Sequence, residues 1–212
     1  MGNDPVYDRN QLFAKESWER VAKAIVYLND PQPALASPKT RFFPAEPYPR
    51  LVDMVNLCAD QGDEWCVILN SDIWIAPNFK TAAIKLKTRS ASAASSWRWN
   101  FDPAVGVEPC VHDDHGIDFF AAQSGAWDQV HREMNKPSPR GAEDSPCHLR
   151  FGAPSWDSWM LGAFSMLFSN LGFYDLTDTR CVRHPRHEGR KYGTGVPPEH
   201  YPAWPRMGGN FL

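Results

Sequence analysis

The chain has 212 residues, of which 42% are hydrophobic and 22% charged, and its formal net charge is −3. This composition excludes an intrinsically disordered chain, and the length fits one α/β domain over residues 1–212. The 19 prolines argue against a helical bundle. No apolar run approaches the roughly 20 residues of a membrane span, and no basic and apolar leader pattern is present, so we expect a cytoplasmic protein.

The basic residues concentrate at the end of the chain. Residues 180–212 contain six Lys or Arg against two Glu and are rich in Gly and Pro. A basic segment of this kind favours anionic ligands.

Helical periodicity alternates with short apolar runs in the first part of the chain. The spacing predicts helices within residues 10–25, 48–60 and 79–86, and strands at residues 24–28, 65–69 and 73–76. The six prolines of residues 31–49 predict an extended loop. Alternating helices and buried strands predict a parallel sheet with helices on both faces.

The second part of the chain continues this pattern. Strands are predicted over residues 91–99 and 117–122, helices over 126–134 and 156–167, and a strand or two after residue 173. Residues 112–115 read His-Asp-Asp-His, which we interpret as a polar loop, because four adjacent residues do not converge on one metal ion without a special turn.

The first candidate site follows the strand predicted at residues 65–69. Asn70, Ser71 and Asp72 stand at the carboxyl end of this strand, where ligands sit in open α/β sheets. A carboxylate there can hold a divalent cation, and the cation can neutralise a diphosphate. The plainer alternative is that Asp72 caps the following turn.

The second candidate is Asp157, in the first turn of a predicted helix and between Trp156 and Trp159. Indole rings desolvate a carboxylate, which raises its pKa and suits it to act as a general base. The rings can also stack on a planar or sugar substrate. An alternative that fits the sequence equally well is structural: Asp157 lies at the positive N-terminal end of the helix, and the two tryptophans fill the core.

The third candidate lies near the end of the chain, where Arg183, His184, Arg186, His187 and Arg190 cluster. Imidazole and guanidinium groups bind phosphates, and one histidine can complete a metal site. A solvated basic turn is the plainer interpretation.

Taken in order, these segments resemble the nucleotide-diphospho-sugar transferases of the GT-A fold, in particular small bacterial and phage-type members. The resemblance spans roughly residues 10–192. It is carried by Ser17-Trp18, Leu28-Asn29, Val67-Ile68-Leu69-Asn70-Ser71-Asp72-Ile73, Gly116-Ile117-Asp118-Phe119-Phe120, Gly152-Ala153-Pro154-Ser155-Trp156-Asp157, and His184 with His187. It implies one α/β domain with a central, mostly parallel sheet between helices on both faces.

The resemblance also implies an activity and a set of site residues. The activity is transfer of a sugar from a nucleotide-diphosphate donor to a hydroxyl acceptor, with Mn²⁺ or Mg²⁺ as cofactor. The residues implied to bind the donor are Asn29, Asp30, Arg41, Arg50, Asn70, Ser71 and Asp72, and those implied to bind its phosphates are His184, Arg186, His187 and Arg190. The implied metal ligands are Asp72 and His187. The acceptor would be bound by Trp97, Trp156 and Trp159, and the implied catalytic residue is Asp157. Asn70 stands where the family has an acid.

Several alternatives remain open at this point. The acceptor is a saccharide or a modified nucleic acid, such as a hydroxymethylated base of phage DNA. The chain is alternatively a non-catalytic module of the same fold that binds nucleotide sugars or saccharides. Nucleotidyl transfer is less favoured, because the Gly-rich N-terminal phosphate loop that such enzymes use is missing.

Overall fold

The structure, a computed structural model, describes residues 5–28, 32–43, 49–62, 65–137, 146–150, 156–170 and 172–186. The α-helices of these residues are α1 (Pro5–Glu19), α2 (Leu51–Ala59), α3 (Phe79–Thr88), α4 (Ser124–Met134) and α5 (Trp156–Phe168). The strands are β1 (Ile25–Tyr27), β2 (Thr40–Phe42), β3 (Trp65–Leu69), β4 (Trp74–Ile75), β5 (Ala93–Phe101), β6 (Cys110–Gln123), β7 (Phe173–Asp175) and β8 (Val182–Pro185).

The helices predicted from apolar periodicity are confirmed, but α1 begins and ends five or six residues before the predicted range 10–25, whereas the ends of the other helices shift by at most three residues. After α2, Gly62 takes a φ of 71°, the left-handed conformation in which glycine commonly ends a helix. None of the described helices combines the length and the apolar character needed to cross a membrane.

Six strands form one sheet in the order β3-β6-β5-β8-β4, in which β7 also pairs with β5. The expectation of a mostly parallel sheet is wrong, because β6 runs antiparallel to both β3 and β5, and β4 antiparallel to β8. No helix separates β5 from β6, and a short connection reverses the chain. Strands β3, β5 and β8 still run in one direction.

Two segments predicted as loops contain strands. Residues 31–49 include β2, which pairs in parallel with β1 to form a separate two-stranded sheet. Residues 112–115 belong to β6, where His112 and Asp113 pair with Trp99 and Arg98 of β5. Both strands depend on partners elsewhere in the chain, and local composition does not indicate such partners.

The sheet separates two apolar cores, as the prediction of helices on both faces requires. One core joins α1 and α3 to the face of Ala94, Phe119 and Ala121. The other joins α2, α4 and α5 to the face of Ala93, Phe120 and Ala122. Consecutive strand residues therefore alternate between the two cores.

The pairing of β6 with β5 is irregular at two places, and the first is a β-bulge in β6. Ser96 and Trp97 are consecutive in β5, yet they pair with Phe119 and Ile117. Asp118 is thus an extra residue in β6, and Ile117 and Phe119 contribute to different cores although they lie two positions apart. At the second irregularity, the consecutive residues Trp97 and Arg98 of β5 pair with Ile117 and Asp113 of β6. Three residues of β6, 114–116, lie between these two pairs.

Candidate functional site

The carboxyl ends of β3, β5 and β8 bring polar side chains together. Because these strands run in one direction, they end at the same edge of the sheet. We call the following residues the polar cluster: Asn70 and Asp72 after β3, Arg98 and Asn100 in β5, Asp118 in β6, and His184 in β8.

One half of the polar cluster centres on His184. Its Nε2 atom lies 3.2 Å from Oδ2 of Asp72, and its Nδ1 atom lies 3.2 Å from Oδ1 of Asn100. The side chains of Asp72 and His184 are only 8% and 12% exposed. Since both ring nitrogens face oxygen atoms, the orientation of the imidazole is determined from two sides. The predicted residues Asp72 and His184 are thus direct neighbours.

The other half centres on Asp118. Arg98 Nη1 donates to Oδ2 of Asp118 at 2.6 Å, and Asn70 Nδ2 donates to Oδ1 at 2.5 Å. Burial raises the pKa of Asp118, while the guanidinium of Arg98 partly offsets this effect. The charges of His184 and Asp72 also act on the pKa of Asp118, so the two halves are electrostatically one site.

The bulge in β6 explains why Asp118 reaches Arg98. In a regular ladder, a residue between Ile117 and Phe119 would lie opposite a residue of β5, but Asp118 has no such partner. Bulges re-aim side chains in this way next to functional sites. Gly116, in the second irregularity, gives the guanidinium its space: a Cβ at this position would lie 2.6 Å from Cζ of Arg98.

Helix α1 supports the turn that carries Asp72. Gln11 Nε2 donates to Oγ of Ser71 at 2.9 Å, and Trp18 Nε1 donates to the carbonyl of Ile73 at 2.6 Å. The backbone N–H of Ile75 donates to Oγ of Ser17 at 2.9 Å. These bonds hold residues 71–75 against a buried face of the helix.

Asp157 lies in the first turn of α5, where its Oδ1 accepts the backbone N–H of Ser158 at 2.8 Å. Burial raises the pKa of Asp157, and the positive charge of Arg98 acts in the opposite direction. Asp157 therefore lies within electrostatic range of the polar cluster.

The three predicted acceptor-binding tryptophans pack around one core. Trp156 is only 5% exposed and contacts Phe120 edge to face, with ring centroids 5.7 Å apart. Trp97 and Trp159 are half-buried against the same core. The burial of Trp156 agrees with the interpretation in which the tryptophans fill the core. Trp97 and Trp159, by contrast, retain exposed surface.

The remaining predicted residues lie elsewhere. Arg41 is exposed on β2, and Arg50 is exposed in an ion pair with Asp53. Arg186 is exposed, and its backbone N–H donates to the carbonyl of Phe101. Asn29, Asp30, His187 and Arg190 lie outside the described residues.

Four residues of this region were not predicted as site residues: Gln11, Arg98, Asn100 and Asp118. For Asp118 the sequence contains a signal, since a carboxylate stands inside the apolar run from Ile117 to Phe120. Arg98 similarly stands between two tryptophans of a predicted strand. Charged residues are almost never fully buried unless they are paired, so a charged residue inside a buried strand is a candidate for a functional site.

The described residues do not form a metal site by themselves. Among them, no group of three or more His, Cys, Asp or Glu side chains is arranged to hold an ion. Arg98 and Asn70 donate to the two oxygens of Asp118, and a guanidinium beside a carboxylate repels a cation. The second predicted ligand, His187, lies outside the described residues. The requirement for Mn²⁺ or Mg²⁺ stays a prediction.

No protein-family model matches the chain, and no curated protein is significantly similar to it. A similar solved structure is a protein from Bacillus anthracis that is assigned as a glucose-1-phosphate thymidylyltransferase, in complex with a sucrose. It is 11% identical over 66% of this chain and 57% of that chain, with a TM-score of 0.35. A similarity of this level carries no conclusion about the fold or the activity of the present chain.

Proposed function

We propose that the protein transfers a sugar from a nucleotide-diphosphate donor to a hydroxyl acceptor, and that the polar cluster binds the diphosphate. The observation that supports this most directly is the pairing of Arg98 with Asp118 and of His184 with Asp72 at the carboxyl ends of the strands. The resemblance of the sequence to the GT-A transferases supports the same activity.

Arg98 would serve the departing diphosphate, while His184, whose two ring nitrogens face Asp72 and Asn100, would hold Asp72 in place. Charge-assisted hydrogen bonds from guanidinium groups to phosphate oxygens are among the stronger ones in proteins. The ion pair with Asp118 orients Arg98 before substrate arrives, and such preorganisation stabilises charge that develops in the transition state. Asn70 orients Asp118 from the side opposite to Arg98.

Asp157 is the proposed acceptor-side base. Its carboxylate takes the proton of the acceptor hydroxyl, the acceptor oxygen bonds to the anomeric carbon, and the bond from that carbon to the donor phosphate breaks. The pKa of Asp157 is raised by burial, which makes the carboxylate a better base. Trp97 and Trp159, which are half-buried against the same core, are the proposed walls for the acceptor.

The competing proposal is a module that binds nucleotide sugars without turnover. It is favoured by Asn70, which stands where the resembled family has an acid. Both proposals place the donor at the polar cluster, and they differ only in turnover.

The test is the substitution Asp157→Asn, assayed with nucleotide-diphospho-sugars, saccharide and hydroxymethylated-DNA acceptors, with and without Mn²⁺. We expect turnover to fall by a factor of about 10²–10⁴, the range of a positioned general base, while donor affinity is kept. The rate of the unsubstituted protein should also fall at acidic pH, because the pKa of Asp157 lies above its ordinary value of 3.8 and protonation removes the base. The Asn variant should not show this fall of the rate at acidic pH.

Asp53→Asn is the matched control, since Asp53 also stands in the first turn of a helix but is exposed and outside the polar cluster. Equal turnover of the two variants would exclude Asp157 as the base. Donor binding without turnover in the unsubstituted protein, under all of these conditions, would favour the non-catalytic module.

A further inference from the structure

Helix α3 presents a row of exposed positive charges. We call Lys80, Lys85 and Lys87 of α3, together with Arg89 directly after it, the cationic face; all four residues are exposed. No acidic residue stands anywhere in residues 73–101. Because the whole chain has a net charge of −3, the cationic face opposes the average charge of the protein.

The lysines of the cationic face lack counter-charges of their own. In α1 and α4, cations pair with carboxylates four positions away along the helix. Among the residues that the structure describes, no carboxylate pairs with Lys80, Lys85 or Lys87. A group of cations of this kind attracts an anionic surface.

A large apolar side chain lies within the cationic face. Ile84 is 62% exposed, whereas Leu86 on the opposite side of the helix is only 4% exposed and belongs to the core. Successive helical residues are turned by about 100°, so Lys80 and Lys87 lie to one side of Ile84 and Lys85 to the other. An apolar residue flanked by cations is typical of helices that lie in a membrane surface.

An aromatic ring borders the cationic face at the end of α3. The guanidinium of Arg89 lies 5.7 Å from the centroid of the Tyr174 ring of β7, and this ring is partly exposed. The contact is a cation–π interaction, which orients the charge at this end of the helix. Tyrosine rings are enriched at the boundary between membrane and water.

We propose that α3 docks on an anionic lipid bilayer, with Ile84 at the boundary of headgroups and acyl chains and the cationic face on the lipid phosphates. A bilayer offers negative charge and hydrocarbon side by side, and both are needed to account for this helix. A nucleic acid would bind the same cations through its phosphates, but it would not provide an apolar environment for Ile84.

The inference goes beyond the proposed function and does not depend on it. The cationic face belongs to a helix, whereas the polar cluster lies at the carboxyl ends of the strands, and the two share no residue. Docking on a bilayer requires neither a nucleotide sugar nor turnover.

The first experiment is co-sedimentation of the full chain with lipid vesicles. Vesicles of phosphatidylcholine and phosphatidylglycerol in equal parts are compared with vesicles of phosphatidylcholine alone. We expect binding to the anionic vesicles only, and we expect added salt to weaken it, since salt screens the attraction between exposed charges. Residues 180–212 also have an excess of basic residues, so substitutions in α3 are needed to locate the binding.

Three substitutions test the cationic face and Ile84 separately. Lys80→Gln and Lys87→Gln should each weaken binding to the anionic vesicles about fivefold, the usual effect of one basic residue near such a surface. Ile84→Ala removes apolar area that the bilayer would bury and should weaken binding roughly five- to tenfold. Because Ile84 is exposed and alanine favours helices, this variant should keep the melting temperature of the unsubstituted protein.

The matched controls lie on the other side of the sheet. Arg132→Gln removes one exposed cation from α4, and Met166→Ala removes an apolar side chain of α5 that is 61% exposed. Both helices pack on the core opposite to that of α3. The two control variants should bind the anionic vesicles like the unsubstituted protein.

The proposal is wrong if the protein does not bind the anionic vesicles, if it binds phosphatidylcholine alone equally well, or if the three α3 variants retain full affinity. A DNA duplex is titrated in parallel. Binding of the duplex that depends on Lys80 and Lys87 but not on Ile84, without binding to vesicles, would assign the cationic face to nucleic acid instead. A failed sugar-transfer assay leaves the vesicle result intact, and a failed vesicle assay leaves the polar cluster unaffected.

Discussion

Arg98 owes its position to a residue without a side chain. Gly116 lies against the guanidinium, and a Cβ there would approach Nε of Arg98 to 2.7 Å. Asp118, two positions further along β6, pairs with the same group at 2.6 Å. One irregular stretch of β6 thus supplies both the space and the counter-charge for the cation of the polar cluster.

Gly116→Ala should therefore impair anion binding. The added methyl group displaces Arg98, which removes its charge-assisted hydrogen bonds from the site. We expect the affinity for inorganic pyrophosphate, measured by calorimetry, to fall about tenfold or more. Arg98→Ala should give a similar loss, and the double variant should bind no worse than Arg98→Ala alone.

Gly125→Ala is the control for this substitution. Gly125 lies in α4, where a Cβ would meet nothing within 4 Å, so alanine should keep pyrophosphate affinity and slightly stabilise the helix. Additive losses in the double variant would show that Gly116 acts independently of Arg98.

The candidate site could be predicted from the sequence only in part. Asp72 and His184 follow from local signals, a carboxylate after a buried strand and a histidine in a basic cluster, and they lie 3.2 Å apart. The pair of Arg98 and Asp118 could not be predicted, because a bulge places these residues together. A bulge is a property of two paired strands rather than of either sequence segment.

At the scale of elements, α1 acts as the support of the turn after β3. Gln11, Ser17 and Trp18 each bond to this turn or to the start of β4. Gln11 is only 8% exposed, and its partner Ser71 lies between Asn70 and Asp72 of the polar cluster. The geometry of the turn is thus tied to a helix that begins about 60 residues earlier in the chain.

Gln11→Ala should loosen this turn and weaken pyrophosphate binding several-fold. Loss of the bond to Ser71 should also lower the free energy of unfolding by about 1–2 kcal/mol, the usual effect of deleting a buried hydrogen bond. Gln61→Ala is the matched control, because Gln61 is exposed and donates only to the carbonyl of Leu57 near the end of α2. Chemical denaturation and calorimetry measure both effects, and equal behaviour of the two variants would contradict the role of α1.

Helices and strands differ in how far the sequence determines them. The helix α2 follows from the spacing of Leu51, Val55 and neighbouring apolar residues, because helical contacts are local. The strand β3 also follows from its apolar run, but its antiparallel pairing with β6 does not. Pairing direction depends on residues about 50 positions away, and the apolar run of a buried strand is the same in either direction.

At the scale of the whole molecule, one sheet divides two cores, and each core depends on the sheet. On the side of α4 and α5, Phe164 lies at the centre of a group of edge-to-face contacts with Phe120, Trp127, Phe168 and Phe173. Its partners come from the sheet and from both helices. Removal of this one ring therefore weakens the packing of α4 and α5 against each other and against the sheet.

Phe164→Ala should lower the free energy of unfolding by about 3–5 kcal/mol, as expected for a buried aromatic ring. Met166→Ala, two positions away and 61% exposed, should change it by less than about 0.5 kcal/mol. Since both cores share the sheet, far-UV and near-UV circular dichroism should report one coincident transition in both variants. Separate transitions would mean that the two cores unfold independently.

The bulge at Asp118 also bears on how such a chain acquires or loses its site over generations. Phe119 and Ile117 already face Ser96 and Trp97 as consecutive residues of an unbroken ladder would. Removal of the single codon for Asp118 would therefore leave every facing pair on either side in its present register and both cores filled. One in-frame insertion or deletion at this position therefore adds or removes the ion pair without a change of register, although a deletion takes this counter-charge away from the largely buried guanidinium of Arg98.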